Sequence, residues 1–233
     1  GDHRDLHSFP TRRSSDLDKS HLDGIKTIGS IFSKLVQYKE FSKAEDLLEE
    51  FAEFPSASDW FNFAMKYLNF GEVEKAIEYL LKCLAQDKQH ADAIDNLESV
   101  WIDLYSNGKK TEADGVWSQL EPFLTGSKLL EIGDYLSIKG NYNEAKTIFL
   151  KALRLDPKDP TPIERLEQLV GLFSLKKMTA EEAMLYVDLA EFYADQKFFQ
   201  LAQEKCDRFS ALAKNGGIDQ NLIDKMAAIF SSA

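Results

Sequence analysis

The chain has 233 residues, of which 44% are hydrophobic and 29% are charged, a composition typical of a soluble globular protein. Its formal net charge of -11 argues against a nucleic-acid ligand, because affinity for a phosphate backbone comes mainly from clustered Lys and Arg. No apolar run approaches the ~20 residues that a helix needs to cross a bilayer.

The first 17 residues differ in character from the rest. The stretch HSFPTRRSSDL, from His7 to Leu17, has no apolar period and resembles the conceptual translation of a sequencing adapter. We therefore expect residues 1–17 to be a disordered, non-native tail and exclude them from fold reasoning. His3, His7 and His21 lie in or just beyond this tail, so they are discounted as metal ligands, and a natural N-terminus with any signal peptide would be missing.

Pairs of amphipathic helices are predicted along the remainder. In the clearest pair, Ala145, Phe149 and Ala152 are spaced by four and three residues, which puts them on one helix face. The alanines allow a neighbouring helix to come close, and Phe149 fills the space beside them. Gly140 suits a tight turn with positive φ, and Pro157 ends the helix. The preceding helix carries a second stripe with a small residue inside it, made of Leu129, Ile132, Gly133 and Leu136.

The same offsets recur along the chain. Turn residues at 39, 71, 108 and 140 lie 32, 37 and 32 residues apart, and each is followed five residues later by alanine. Lys197 and Ala202 repeat the pattern. Phe32 and Trp101 stand where the first helix usually has a small residue, so we expect them to wedge their helix pairs apart. Five units are predicted, near residues 25–56, 57–90, 94–125, 126–159 and 183–216.

One region departs from this rhythm. Residues 163–177 form an extra amphipathic helix, and the next helix is expected to open with a capping box of Thr179 and Glu182. A final helix over 218–230 is expected to cap the exposed end. The turn at Lys197 favours pairing of the two helices that flank it, but the pairing between residues 160 and 216 stays open.

This pattern resembles the tetratricopeptide repeat family, which has Trp, Leu, Gly and Tyr in its first helix and Gly, Ala, Phe or Tyr, Ala and Pro in its second. Residues 126–159 match it best, and residues 57–90 next. The resemblance implies an all-α fold, a right-handed α-solenoid of stacked antiparallel helix pairs over residues 18–233. It also implies that ligands bind to the concave surface, on the exposed face of each first helix.

No catalytic constellation is present in the sequence. The Gly-Lys at Gly108 follows a helix rather than a strand, and Asp87 with His90 is more typical of a solvated turn than of a metal site. Cys83 and Cys206 lie among apolar residues, which favours buried thiols in a reducing compartment, so we expect a cytoplasmic protein. We expect no enzyme activity, no cofactor and no metal.

Transferred from the resemblance, the groove has two sections. An apolar patch of Phe61, Met65 and Leu68 suits an amphipathic partner, and an acidic tract suits a basic one. The alternatives are that the patch packs on the preceding helices and that the acidic residues are solvent-exposed without a binding role. Docking of an acidic chaperone tail is disfavoured, because few of these positions are basic. The candidate residues are Phe61, Asn62, Met65, Leu68, Asn69, Glu98, Ile102, Glu131, Asp134, Asp188 and Glu191.

The function that the sequence favours is a non-catalytic scaffold that holds a peptide or partner protein. A second hypothesis is that the chain is the regulatory or substrate-recruiting segment of a larger enzyme whose catalytic domain is missing. A third is a self-assembling repeat protein, which would form oligomers as its concentration rises.

Overall fold

The computed structural model describes residues 22–53 and 55–232, which form twelve α-helices, one short 3-10 helix and no strand. By internal contacts the chain divides into two compact units, Gly1–Leu124 and Thr125–Ala233. The expected disordered tail over residues 1–17, with His3, His7 and His21, lies outside the described residues. Unit 1 contains α1 (Leu22–Gln37), α2 (Phe41–Glu50), α3 (Ala57–Asn69), α4 (Val73–Gln86), α5 (Ala91–Ser106), α6 (Lys110–Leu120) and the 3-10 helix Glu121–Phe123. Unit 2 contains α7 (Gly126–Ile138), α8 (Tyr142–Leu155), α9 (Thr161–Leu175), α10 (Thr179–Asp195), α11 (Phe199–Ala213) and α12 (Gln220–Ser232).

The fold class is the all-α helical-repeat solenoid that the sequence predicts. Within each unit, consecutive helices pack as antiparallel hairpins, and each hairpin contacts the next one along the chain. The alanine five residues after each predicted turn residue is buried in its hairpin, so its methyl group sets how closely the two helices approach. These alanines are at most 1% exposed: Ala44, Ala76, Ala113, Ala145 and Ala202.

The bulky residues in two first helices pack against other aromatic rings. Phe32 packs its ring 4.6 Å from that of Phe63 on α3, and Trp101 packs 5.1 Å from Trp117 on α6. The α1–α2 and α5–α6 pairs are packed less closely than α3–α4 and α7–α8. The second helices α2 and α6 are also short, with 10 and 11 residues, which by itself reduces the contact length in these two pairs. That Phe32 and Trp101 wedge the pairs apart stays a prediction.

Six helices end in the same turn. In each one the backbone N–H three residues past the last helical residue donates to a carbonyl five residues earlier, as in Asn141 N to Leu136 O at 2.9 Å. This is the Schellman arrangement, which needs one residue with positive φ. Gly140 has a positive φ, as the sequence predicts, and its value is 84°. The residues that adopt positive φ in the six turns are Lys39, Gly71, Gly108, Gly140, Lys177 and Lys197.

The predicted capping box at the start of α10 is wrong. Thr179 is already the first residue of the helix, its N-cap is Met178, and that cap makes no side-chain hydrogen bond. The tight turn at Lys177 is the reason, because it starts the helix one residue earlier than the capping box requires. Glu182 is instead 7% exposed, and Tyr186 Oη donates to its Oε1 at 3.4 Å.

In unit 2 the helices are linked in two alternating rows. Side-chain ion pairs join each helix to the next but one rather than to its sequence neighbour. One row is therefore α7, α9 and α11, and the other is α8, α10 and α12. The pairs are Asp134 with Arg165 (α7–α9, 2.8 Å), Glu167 with Lys205 (α9–α11), Lys146 with Asp188 (α8–α10, 3.2 Å) and Glu191 with Lys225 (α10–α12, 2.9 Å).

Candidate functional site

Helix α3 carries the apolar candidates of unit 1. The helix is started by a capping box, in which Ser56 Oγ accepts from Asp59 N at 3.3 Å and Ser56 N donates to Asp59 Oδ2 at 2.9 Å. One face is fully committed to the core, and this orients the other. The core face consists of Trp60, Phe63, Ala64 and Tyr67.

An apolar row lies beside that core face. Phe61, Met65 and Leu68 are all half-buried, at spacings of four and three residues along α3. Asn62 and Asn69 are exposed next to this row. Neither carboxamide has a hydrogen-bond partner among the described residues, so both retain donors and acceptors for another molecule. We call these five residues the α3 face.

The ring contact of Phe61 is with the following helix, whereas the alternative interpretation expects packing on the preceding helices. The ring of Phe61 lies 5.1 Å from that of His90, the N-cap of the following helix α5. The side of α3 that meets α1 is a different one, with Asp59, Asn62 and Lys66. They border a groove of about 280 Å³ between the two helices. Only Asn62 belongs to both sides.

The two candidates on α5 are half-buried. Glu98 has a polar or electrostatic contact within the chain, and Ile102 follows it by one helical turn. Between them, Val100 and Trp101 are buried in the unit. Glu98 is therefore not an uncommitted carboxylate, and Ile102 is the apolar candidate that α5 contributes.

The four acidic candidates of unit 2 do not lie together. Glu131 and Asp134 are on α7, in one helix row, whereas Asp188 and Glu191 are on α10, in the other row. The sequence prediction had placed all four on first helices and hence on one surface. The extra helix α9 takes a place in the row of α7, and this moves α10 into the row of second helices.

Each of these four carboxylates is also paired within the chain. Lys128 Nζ lies 2.8 Å from Glu131 Oε2, and the other three acids form ion pairs that join helices within a row. Asp188 and its lysine are mostly buried, with side chains 24% and 13% exposed. Intramolecular cations thus already neutralise the charge that the acidic tract was expected to offer a basic ligand.

The reactive side chains of the described residues are held in unreactive states. Burial raises the pKa of the Cys83 thiol to about 11, and it also raises that of Cys206. A thiol with a raised pKa stays protonated near neutrality and is a poor nucleophile. Among the described residues, no three His, Cys, Asp or Glu side chains are grouped so that they could hold a metal ion. None of the helices formed by this part of the chain is long and apolar enough to span a membrane.

Comparison with known families identifies the hairpins. The tetratricopeptide repeat model matches residues 60–90 and residues 129–159, which are the α3–α4 and α7–α8 hairpins with their flanking residues. The chain carries tetratricopeptide repeats. Repeats of this kind are generally protein–protein interaction modules, and the α3 face lies on the first helix of the first matched tetratricopeptide segment.

Solved structures resemble the chain distantly. The C-terminal part of a tetratricopeptide repeat-containing protein from Cytophaga hutchinsonii is 16% identical, with 87% of this chain and 93% of that chain covered and a TM-score of 0.32. The pilF protein of Pseudomonas aeruginosa is 17% identical, with 83% and 95% covered and a TM-score of 0.30. No curated protein sequence gives a significant match. Likeness at this level carries no argument about partners.

Three features of the site escaped the sequence prediction. The turn at Lys177 has the same offset to Glu182 as Gly140 has to Ala145, so the spacing was available, but glutamate replaces the expected alanine. The pairing of each acid with a cation depends on which helices are neighbours, and spacing along the chain does not give this. A groove bordered by Asp188 and Glu191 lies between α8 and α10, because α10 belongs to the same row as α8.

Proposed function

We propose that the chain is a non-catalytic protein-interaction module and that a partner segment binds to the α3 face in unit 1. The observation that carries the proposal is the half-buried apolar row of Phe61, Met65 and Leu68, flanked by the unpaired carboxamides of Asn62 and Asn69. Covering the exposed apolar surface of this row with a partner contributes about 25 cal/mol of favourable free energy per Å². The carboxamides can then satisfy polar groups at the edge of the contact.

The partner's chemistry follows from this surface. An amphipathic helix or an extended segment with two or three apolar side chains at matching spacing would cover the row. The α3 helix is held by its capping box and by a fully buried opposite face, so binding spends little free energy on ordering the receptor. Affinity therefore depends on how well the partner's apolar side chains fill the space beside Phe61 and Met65.

The acidic half of the predicted groove has weaker support. The two pairs of acids lie on separate helix rows, and each acid has an intramolecular partner. A basic ligand at these sites would have to displace a lysine or arginine already in place. Titrating the binding of a basic peptide with salt tests this half separately, because affinity that stays flat from low to high salt removes the acidic tract from the binding surface.

The experiment for the α3 face is a quantitative pull-down with the full chain. Phe61→Ala combined with Met65→Ala should lose the partners that depend on this row. Phe70→Ala is the matched control, because Phe70 lies at the end of the same helix, is 41% exposed and is outside the row. Partners that survive the double substitution but not the control substitution would contradict the proposal. Circular dichroism melts of the three proteins establish that all remain folded.

A further inference from the structure

The last two helices of unit 2 leave an apolar groove between them. Its volume is about 590 Å³, against about 280 and 340 Å³ for the grooves at α1–α3 and α8–α10. One wall is formed by α11 and the other by α12. The side chains that form the walls include Cys206, Phe209 and Ala213 on α11 and Ile223, Ala227 and Phe230 on α12.

The serine hydroxyls in the groove walls donate hydrogen bonds to backbone carbonyls of their own helices. Ser210 Oγ donates to Cys206 O at 2.8 Å, and Ser231 Oγ donates to Ala227 O at 2.9 Å. The two hydroxyls therefore offer no free hydrogen-bond donor to the groove. The one charged residue along it is Lys214, the exposed C-cap of α11, which forms no ion pair with any residue that the structure describes. The groove is thus an apolar slot with a single cation at one end.

The final helix has apolar residues on two faces. Met226 and Ile229 are buried, and Met226 Sδ lies 3.3 Å from Cys206 Sγ on α11, at the wall of the groove. Helix α12 also packs against α10. On the side that borders the groove, Ile223 is half-buried, Ala227 is exposed and Phe230 is 55% exposed. Helix α12 therefore presents apolar side chains to the groove.

An equivalent position earlier in unit 2 is occupied by a helix. Helix α9 packs on α8, and its Arg165 pairs with Asp134 on α7, so α9 covers the preceding α7–α8 hairpin. The side chains that α9 buries form an apolar stripe at spacings of three and four residues, which are Leu166, Leu169, Val170 and Phe173. The α11–α12 groove lies where the next helix in this series would pack.

We propose that the α11–α12 groove docks an amphipathic helix of a partner protein, with an apolar stripe like that of α9 and a carboxylate near one end that pairs with Lys214. A helix is required rather than an extended segment. The groove walls are helices whose backbone groups are already bonded, so they offer no edge for strand pairing, whereas a helix satisfies its own backbone. The lone lysine makes an acidic end complementary and a basic end repulsive.

The test uses a fluorescently labelled peptide with the sequence of residues 161–176 as the probe, because this sequence fills the equivalent position in cis. We expect saturable binding to the full chain by fluorescence anisotropy. Phe230→Asp should weaken it at least tenfold, because the charge would enter the apolar wall. Phe198→Asp is the matched control, since Phe198 is 54% exposed in the same unit but does not border the groove, and its affinity should stay within twofold.

A second set of variants tests the contribution of the ion pair with Lys214. A peptide with Glu164→Gln and Glu167→Gln, or the protein with Lys214→Gln, should bind severalfold more weakly at low salt, and the two changes together should cost little more than either alone. Absence of peptide binding, or equal loss with Phe198→Asp, would overturn the proposal. Concentration-dependent dimers in sedimentation velocity that Phe230→Asp abolishes would also overturn it, because a second copy would then be the occupant.

Discussion

At Gly133 on α7, the absence of a side chain sets the distance between two helices. A Cβ placed there would lie 2.3 Å from Cε1 of Phe149 on α8, well inside contact distance. Phe149 is 1% exposed, so its ring has no open space into which to move. The sequence prediction of a small residue in the first helix and an aromatic ring in the second is confirmed by this contact.

Gly133→Ala should destabilise unit 2 by about 1–3 kcal/mol, because the added methyl group overpacks a filled site. Gly171→Ala on α9 is the matched control: Gly171 is exposed, and a Cβ there meets nothing within 4 Å. The control should gain about 0.5–1 kcal/mol from reduced backbone entropy in the unfolded chain. Urea denaturation followed by circular dichroism gives both values, and equal effects of the two substitutions would contradict the packing argument.

Glu182 is a carboxyl group at a position that is alanine in five other hairpins. Burial raises its pKa, while hydrogen bonds from Tyr186 and Ser174 act in the opposite direction. Between the unfolded and folded pKa values the folded state binds more protons, so stability falls as pH rises through that interval. Above the folded pKa the loss is complete.

Glu182→Gln should therefore stabilise the protein more at neutral pH than at acidic pH. The amide keeps the size and the hydrogen-bonding capacity of the side chain but cannot ionise. The measurement is the difference in urea midpoint between variant and wild type, taken at a pH below the carboxyl range and again near neutrality. Using the difference cancels the titration of the other acids. A difference that is the same at both pH values would show that Glu182 titrates normally.

At the scale of elements, the helix hairpins depend on one left-handed residue per turn. Glycine occupies this position in three of the six Schellman turns, and lysine occupies it at Lys39, Lys177 and Lys197. A non-glycine residue in this conformation is strained by about 1–2 kcal/mol. The lysine turns are therefore places where the sequence tolerates strain, and a cation near a helix C-terminus offsets part of it.

Two opposite substitutions test this. Gly140→Ala should destabilise unit 2 by about 1 kcal/mol, because φ there is 84°, whereas Lys197→Gly should stabilise it by up to about 1 kcal/mol. Lys139→Ala is the control, since Lys139 lies next to Gly140 with φ of -76° and should change stability little. Thermal unfolding monitored by circular dichroism would show the opposite shifts. Shifts of the same sign would mean that the turns do not control hairpin stability.

The same elements show how far sequence reasoning extends. Periodicity and the turn-to-alanine offset were enough to predict the helices, the Gly140 turn and the position of the apolar row on α3. They gave α9 and α10 as helices but not their rows, because Glu182 hides the sixth repeat of the offset. Once α9 is counted as a member of the stack, α10 changes rows, and Asp188 and Glu191 move with it. The row of a helix depends on the number of preceding helices, so one helix left out of that alternation assigns the helices after it to the wrong row.

At the scale of the whole molecule, charge is used mainly inside each unit. The ion pairs within the helix rows of unit 2 join residues that are far apart in the sequence. The separations are 31, 34 and 42 positions for Arg165–Asp134, Lys225–Glu191 and Lys146–Asp188. Such pairs cannot be recognised from local spacing. A net charge of -11 nevertheless remains, and it disfavours the approach of polyanions.

Each of the two units has its own core, so stability should be distributed by unit. In repeat proteins, stability is the sum of terms within repeats and between nearest neighbours. Gly133→Ala should therefore increase amide hydrogen exchange in α7–α12 while α3 and α4 keep their protection. Ala76→Gly, which removes a fully buried methyl group from the α3–α4 hairpin, should do the reverse. Exchange mass spectrometry on the full chain resolves the two patterns, and equal loss of protection in both units with either variant would show that they unfold as one.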